Sequence, residues 1–150
     1  MQKGEKILRE RFPVVTSVQV RFRDLDAMGH VNNAVYLTYL EMGRMAYYTT
    51  LMGPRPEPRD FNFILARVEI DFRSPIHLGE EVYVGVRLTR VGRRSFHFAY
   101  ELREGATGRL LAEATSVQVM YDYEKKTPID IPPDFYARIK ALEGEVTSNE

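Results

Sequence analysis

Apolar and polar residues alternate from Ser17 to Arg23. Val18, Val20 and Phe22 stand between Ser17, Gln19, Arg21 and Arg23, and a period of two predicts a half-buried strand. The polar stretch Asp24 to Asn33 contains Gly29, and Asn32 or Asn33 is placed to cap a following helix through its side-chain oxygen. A helix is predicted from about Ala34 to Leu51. Val35, Tyr36, Leu37, Tyr39, Leu40, Met42, Met45, Ala46, Tyr47 and Tyr48 leave it almost no polar side, and a helix apolar all round is a buried one. At ~1.5 Å per residue it spans about 27 Å. Gly53, Pro54, Pro56 and Pro58 then predict a surface loop, because prolines lock φ and remove amide donors.

The rest of the chain reads as β. Strands are predicted through Ile64, Ala66, Val68, Ile70 and Phe72, through Val82, Val84, Val86 and Leu88, and through Phe96, Phe98, Tyr100 and Leu102. A longer one runs through Leu111, Glu113, Thr115, Val117, Val119 and Tyr121. Ser74-Pro75, Leu78-Gly79, Gly92 and Glu104 to Gly108 supply the turns, so these four strands read as consecutive and antiparallel. Pro132 and Pro133 suit the start of a helix over about Asp134 to Leu142, and the tail Glu143 to Glu150 is expected to fray.

One sheet face and one helix share a core only if the sheet curls around the helix. The expected fold class is therefore α+β. It is a five-stranded antiparallel sheet wrapped on a long central helix, with a short C-terminal helix, in a single domain ordered from about residue 14 to 142. Such a sheet leaves the helix partly uncovered and its edges unpaired, and a second copy joined edge to edge repairs both defects. A homodimer is expected.

Composition narrows the chemistry. Twenty-one basic and 21 acidic side chains cancel, so no overall field favours nucleic acid. The absence of cysteine removes disulfides, thiolate nucleophiles and cysteine-ligated metals, and three scattered histidines give a metal site little support. No apolar run approaches the roughly 20 residues that cross a bilayer, and the charged segment Met1 to Arg11 lacks a signal-peptide core. A cytoplasmic location and no membrane partner are expected. Neither a Gly-x-Ser-x-Gly elbow nor a His-Glu-x-x-His helix is present.

The densest polar information is Arg23-Asp24-Leu25-Asp26-Ala27-Met28-Gly29-His30-Val31-Asn32-Asn33, at the entrance of the long helix. Free amide hydrogens there favour a carbonyl oxygen that develops negative charge. Asp26 is placed to activate water or to attack as a nucleophile, and His30 and Asn33 to position the reacting carbonyl. Shaping the loop is the competing account, since Asp, Asn and Gly are common in turns for local reasons. Glu41 and Arg44, three residues apart on the helix, are expected to pair, with a catalytic Glu41 as the alternative. Arg93 and Arg94, or Lys125 and Lys126, offer basic turns that fork onto phosphate oxygens.

The run from Asp24 to Arg44, with Asp26, Gly29, His30-Val31-Asn32-Asn33, Tyr36, Glu41 and Arg44 in order, resembles the signature of hotdog-fold acyl-CoA thioesterases of the 4-hydroxybenzoyl-CoA thioesterase type. The strand order fits that resemblance from about Val14 to Tyr123. It implies hydrolysis of an acyl-CoA to a carboxylic acid and free coenzyme A, with Asp26 the catalytic carboxylate and helix amides polarising the thioester carbonyl. Gly29, Val31 and Tyr36 are then expected at the substrate, and Arg93, Arg94 and Ser95 near the pantetheine arm. Active sites at a dimer interface, further assembly to a homotetramer, and coenzyme A only as part of the substrate also follow. A non-catalytic acyl-thioester-binding module and a hotdog dehydratase are the rivals.

Overall fold

The computed structural model describes residues 1–53 and 62–149. Its helices are α1 (Lys3–Arg9), α2 (Val35–Met52) and α3 (Pro133–Glu143), and its strands are β1 (Val14–Gln19), β2 (Phe63–Phe72), β3 (Glu81–Gly92), β4 (Ser95–Glu104), β5 (Leu110–Asp122), β6 (Thr127–Pro128) and β7 (Thr147–Asn149). The expected loop at Pro54, Pro56 and Pro58 lies outside the described residues. Among the described residues no helix is long and apolar enough to cross a membrane.

The main strands are ordered β1-β3-β4-β5-β2 and all pair antiparallel. The sheet curls around α2 as a half-barrel, which is the expected α+β hotdog architecture. One expectation changes: β2 pairs with β5 rather than with β3, so the four later strands are not a simple meander and, among the described residues, β2 forms an open edge.

Valine and aromatic alternation builds the concave face. Val82, Val84, Val86 and Leu88 of β3 and Phe96, Phe98, Tyr100 and Leu102 of β4 are buried. Tyr47 and Tyr48 of α2 meet Phe98 with ring centroids 4.8 and 5.9 Å apart, a separation at which aromatic pairs attract beyond their area. Gly43 lets the helix come this close, because a Cβ there would stand 2.8 Å from Val84 Cγ1 and 2.9 Å from Val86 Cγ2. α3 closes the end of the core. Phe135 packs on Phe96, Arg138 donates to the Leu51 carbonyl near the end of α2, and Glu143 accepts from the Tyr47 hydroxyl and the Leu88 amide.

Four local expectations are corrected. The first strand ends at Gln19, and Phe22 is 80% exposed in a short 3-10 turn, because the Asp24 carboxylate accepts hydrogen bonds from the Arg21 amide and guanidinium and bends the chain away. Register shifts at Ala66 in β2 and Leu111 in β5 reverse which residues face inward. Ile64 is therefore exposed while Phe63 packs on Tyr48, and Ser116 and Gln118 are buried while Val117 and Val119 are only half-buried. The long helix is not buried all round: Tyr36, Tyr39, Leu40, Gly43, Tyr47, Tyr48 and Leu51 face the sheet, whereas Leu37, Met42 and Met45 are exposed. Both termini carry structure. The charged start forms α1, whose Leu8 is fully buried, and the tail expected to fray adds β7 parallel to β3.

Candidate active site

The loop between β1 and α2 is tied down at each step. Asp24 is buried, and its carboxylate also accepts a 2.9 Å hydrogen bond from the Tyr39 hydroxyl. Burial alone would raise its pKa, but the bonds from Arg21 and Tyr39 outweigh that and hold the carboxyl below its ordinary value. The Asn32 amide donates to the Asp24 carbonyl, and the Val31 amide to the Ile76 carbonyl. Asp24 is thus a loop anchor.

Asp26, two residues on, is exposed, and its environment differs. Its Oδ1 accepts from the Met28 amide at 2.9 Å and the His30 amide at 3.2 Å, while its own amide donates to the His30 carbonyl at 2.7 Å. Gly29 closes this turn at φ +80, the left-handed region that favours glycine. Among the described residues no group bonds Asp26 Oδ2. The carboxylate is held by one oxygen and offers the other to a groove of about 270 Å³ lined by Asp26, His30, Val31, Asn33, Tyr36 and the wall Phe72 to Pro75.

The donors at the helix entrance differ in number from the expectation. The Ala34 amide donates to Asn32 Oδ1, and the Val35, Tyr36 and Leu37 amides donate back to the Asn32, Asn33 and Ala34 carbonyls. Asn32, not Asn33, therefore supplies the side-chain acceptor. The Asn33 amide has no hydrogen-bond acceptor among the described residues, so one main-chain donor, rather than several helix amides, faces this end of the molecule unsatisfied. Tyr36 packs edge-on against Phe72 at 4.9 Å, and burial pushes its hydroxyl pKa up, partly offset by Arg109, so it stays protonated as a donor.

Sequence reading passed over the support behind His30. The His30 ring stands edge-on to His77 at 5.0 Å, and the two residues form a β-bridge. His77 is fastened to Glu80, and Arg109 grips both Glu80 oxygens at 2.8 and 3.0 Å while donating to Ser74 Oγ and the Pro75 carbonyl. Burial acts to raise the Glu80 pKa, but the bonds from Arg109 and His77 prevail and hold it below the usual range. Ser74, His77, Glu80 and Arg109 stand 48 to 83 positions from Asp26 in the chain, and only the fold joins them to it.

Glu41, Arg93, Arg94 and Ser95 are not brought to this groove. Glu41 is exposed on α2 and does not pair with Arg44; the Arg44 guanidinium instead donates to the Tyr100 hydroxyl at 3.3 Å. Geometry defeats the expected pair, since Arg44 turns into the sheet and Glu41 outward. Arg93 and Arg94 flank Asp130 at the β3–β4 turn, and Ser95 opposes Val119, beside Ile64 at the far end of β2. The Asp26 groove lies at the Phe72 end of that strand, roughly 26 Å away along eight residue steps.

The model of the Thioesterase-like superfamily matches residues 20–139. A putative acyl-CoA thioesterase of Bacillus subtilis, YneP, is 28% identical over 120 residues, 79% of this chain and 86% of its own length. The 1,4-dihydroxy-2-naphthoyl-CoA hydrolase of Synechocystis is 28% identical over 122 residues, 76% of this chain and 86% of its own. Among solved structures, a Thermus thermophilus thioesterase complexed with coenzyme A and zinc superposes with a TM-score of 0.81 at 40% identity, covering 91% of this chain and 98% of that one.

Proposed function

The chain belongs to the thioesterase-like superfamily and is an acyl-CoA thioesterase of hotdog fold, and on that premise we propose that Asp26 is its catalytic carboxylate. The observation that carries this reading is the shared groove: a carboxylate with one oxygen pinned by two amides and the other open, beside the unsatisfied Asn33 amide. The thioester carbonyl would accept from the Asn33 N–H, which strengthens as charge gathers on oxygen. Asp26 Oδ2 then either takes a proton from the attacking water or attacks the carbonyl carbon itself, expelling the coenzyme A thiolate and leaving an acyl–aspartyl anhydride that water hydrolyses to the product acid and free Asp26. His30 forms the wall that positions the acyl group, and the protonated Tyr36 hydroxyl is a further donor. Coenzyme A enters as part of the substrate, and the reading requires no cofactor.

A second copy of the chain completes the arrangement. β2 is an open edge with Ile64, Leu65 and Phe72 exposed, and the adjoining helix face exposes Leu37, Met42 and Met45. Antiparallel pairing of two β2 edges places the Phe63 end of one copy beside the Phe72 end of the other. Arg93, Arg94 and Ser95 then come to the second copy's Asp26 groove, where the guanidinium groups would hold coenzyme A phosphates. The reading is a cytoplasmic homodimer that assembles further to a homotetramer.

The test is thiol release over a panel of acyl-CoA and acyl-carrier-protein thioesters. Thiol from the wild type and almost none from Asp26→Asn supports the assignment, whereas saturable binding without thiol identifies a binding module instead. Single turnover in heavy-oxygen water separates the two chemistries: label first in Asp26 marks the nucleophile, and label only in the product acid marks the base.

A further inference from the structure

A second pocket, of about 340 Å³, lies between α2 and the Phe63 end of β2, and Arg44 lines it together with Glu41, Met45, Ile64, Leu65 and Tyr123. Arg44 is only 9% exposed. Among the described residues its guanidinium makes one hydrogen bond, from NH1 to the Tyr100 hydroxyl, and no carboxylate forms an ion pair with it. The bond has a fixed direction. Gln118 Nε2 donates to the Phe96 carbonyl at 3.0 Å, Ser116 Oγ donates to Gln118 Oε1, and Tyr100 therefore donates to Ser116 and keeps its oxygen as an acceptor for Arg44. All three side chains of this relay are buried. It orients the guanidinium and consumes one of its five donors.

Removing a cation from water costs several kcal/mol unless a partner neutralises it, and a well-packed apolar side chain would be cheaper here. Glu41 lines the same pocket but is exposed and forms no ion pair with Arg44. The guanidinium fork matches a carboxylate in two parallel bonds. Asn33 stands just before α2 and Arg44 lies 11 residues further on, about 16 Å along the helix direction. That is the distance of an acyl tail from the Asp26 groove, too far for the thioester itself. Met45, Ile64 and Leu65 supply apolar wall beside the guanidinium for the last methylenes of the chain.

Resting on acyl-CoA hydrolysis at the Asp26 groove, we infer that the Arg44 pocket receives the far end of the acyl group as a carboxylate, so that thioesters of dicarboxylic acids are the preferred substrate class. The test compares dodecanedioyl-, tetradecanedioyl- and hexadecanedioyl-CoA, whose extended chains are long enough for that span, with unsubstituted acyl-CoAs of equal carbon number. The wild type is expected to favour at least one carboxylated member by about tenfold or more in kcat/KM, the value of a charge-assisted bond. Arg44→Met should abolish that ratio while hydrolysis of the unsubstituted thioesters stays within a few-fold of wild type. Arg44→Lys keeps the charge, loses the fork, and should give an intermediate ratio; it serves should the methionine variant not fold. A ratio near one in the wild type, or a preference that survives Arg44→Met, overturns this inference while the Asp26 reading stands. Hydrolysis of no thioester at all overturns both.

Discussion

The Tyr39 hydroxyl donates to Asp24 Oδ2 at 2.9 Å, and this bond separates the roles of two aspartates two residues apart. Asp24 is buried beneath the loop, and Asp26 stands on it in the groove. The bonds from Arg21 and Tyr39 overcome the raising effect of burial and depress the Asp24 pKa in the folded state. A carboxyl depressed in this way stabilises the fold above its unfolded value, roughly 3.9, and loses that contribution as pH falls through the lower folded value. Asp24→Asn should therefore cost about 1–3 kcal/mol at pH 7. Thermal unfolding across pH should show the gap to wild type closing below about pH 4.

Asp26→Asn should behave oppositely. Asparagine keeps an oxygen for the Met28 and His30 amides, so the melting temperature should hold, while turnover falls by at least ~10². Steady-state thiol release and a melt on the same sample check the pair of outcomes; turnover near wild type refutes the assignment.

Glu41→Gln tests the alternative acid on the helix. Glu41 is exposed and lines the Arg44 pocket rather than the Asp26 groove, so kcat should stay within a few-fold of wild type for unsubstituted acyl groups. A drop comparable to that of Asp26→Asn would move the chemistry to Glu41.

Gly43→Ala sets helix propensity against space. Alanine gains about 1 kcal/mol in a helix interior. Its Cβ would meet Val84 and Val86 methyl groups inside 3 Å, and overpacking of this kind costs about 1–3 kcal/mol. β-branched valines turn poorly, so the clash should win, and denaturant unfolding should show a net loss of about 1 kcal/mol.

Leu65→Glu places a charge on the open edge of β2, where Leu65 is 45% exposed in the single chain. Light scattering should show a smaller assembly, and thiol release should fall with it if the second copy contributes to the groove. Full activity in a monomer would remove the second copy from the site.

Much of this architecture was legible because valine and aromatic alternation continues from Val82 to Leu88 in β3 and from Phe96 to Leu102 in β4, and because the apolar run of α2 has helical length. The face assignments of β2 and β5 were not. One extra residue, Ala66 or Leu111, reverses the phase of a period-two pattern, and no residue type marks such a bulge unambiguously. The loop from Asp26 to Asn33 was found as a dense polar cluster, whereas Arg109, Glu80 and Ser74, which brace the opposite wall, are ordinary surface types in three separate segments. Likewise the Glu41 and Arg44 spacing fits a helix-surface pair, and only the buried Tyr100 hydroxyl across the sheet explains why Arg44 turns inward.

The donor offered by residue 33 belongs to the peptide backbone. Nineteen of the twenty encoded amino acids carry that hydrogen, and proline alone would delete it. The position can therefore drift in size, charge and polarity while the main-chain donor passes unaltered through every such change.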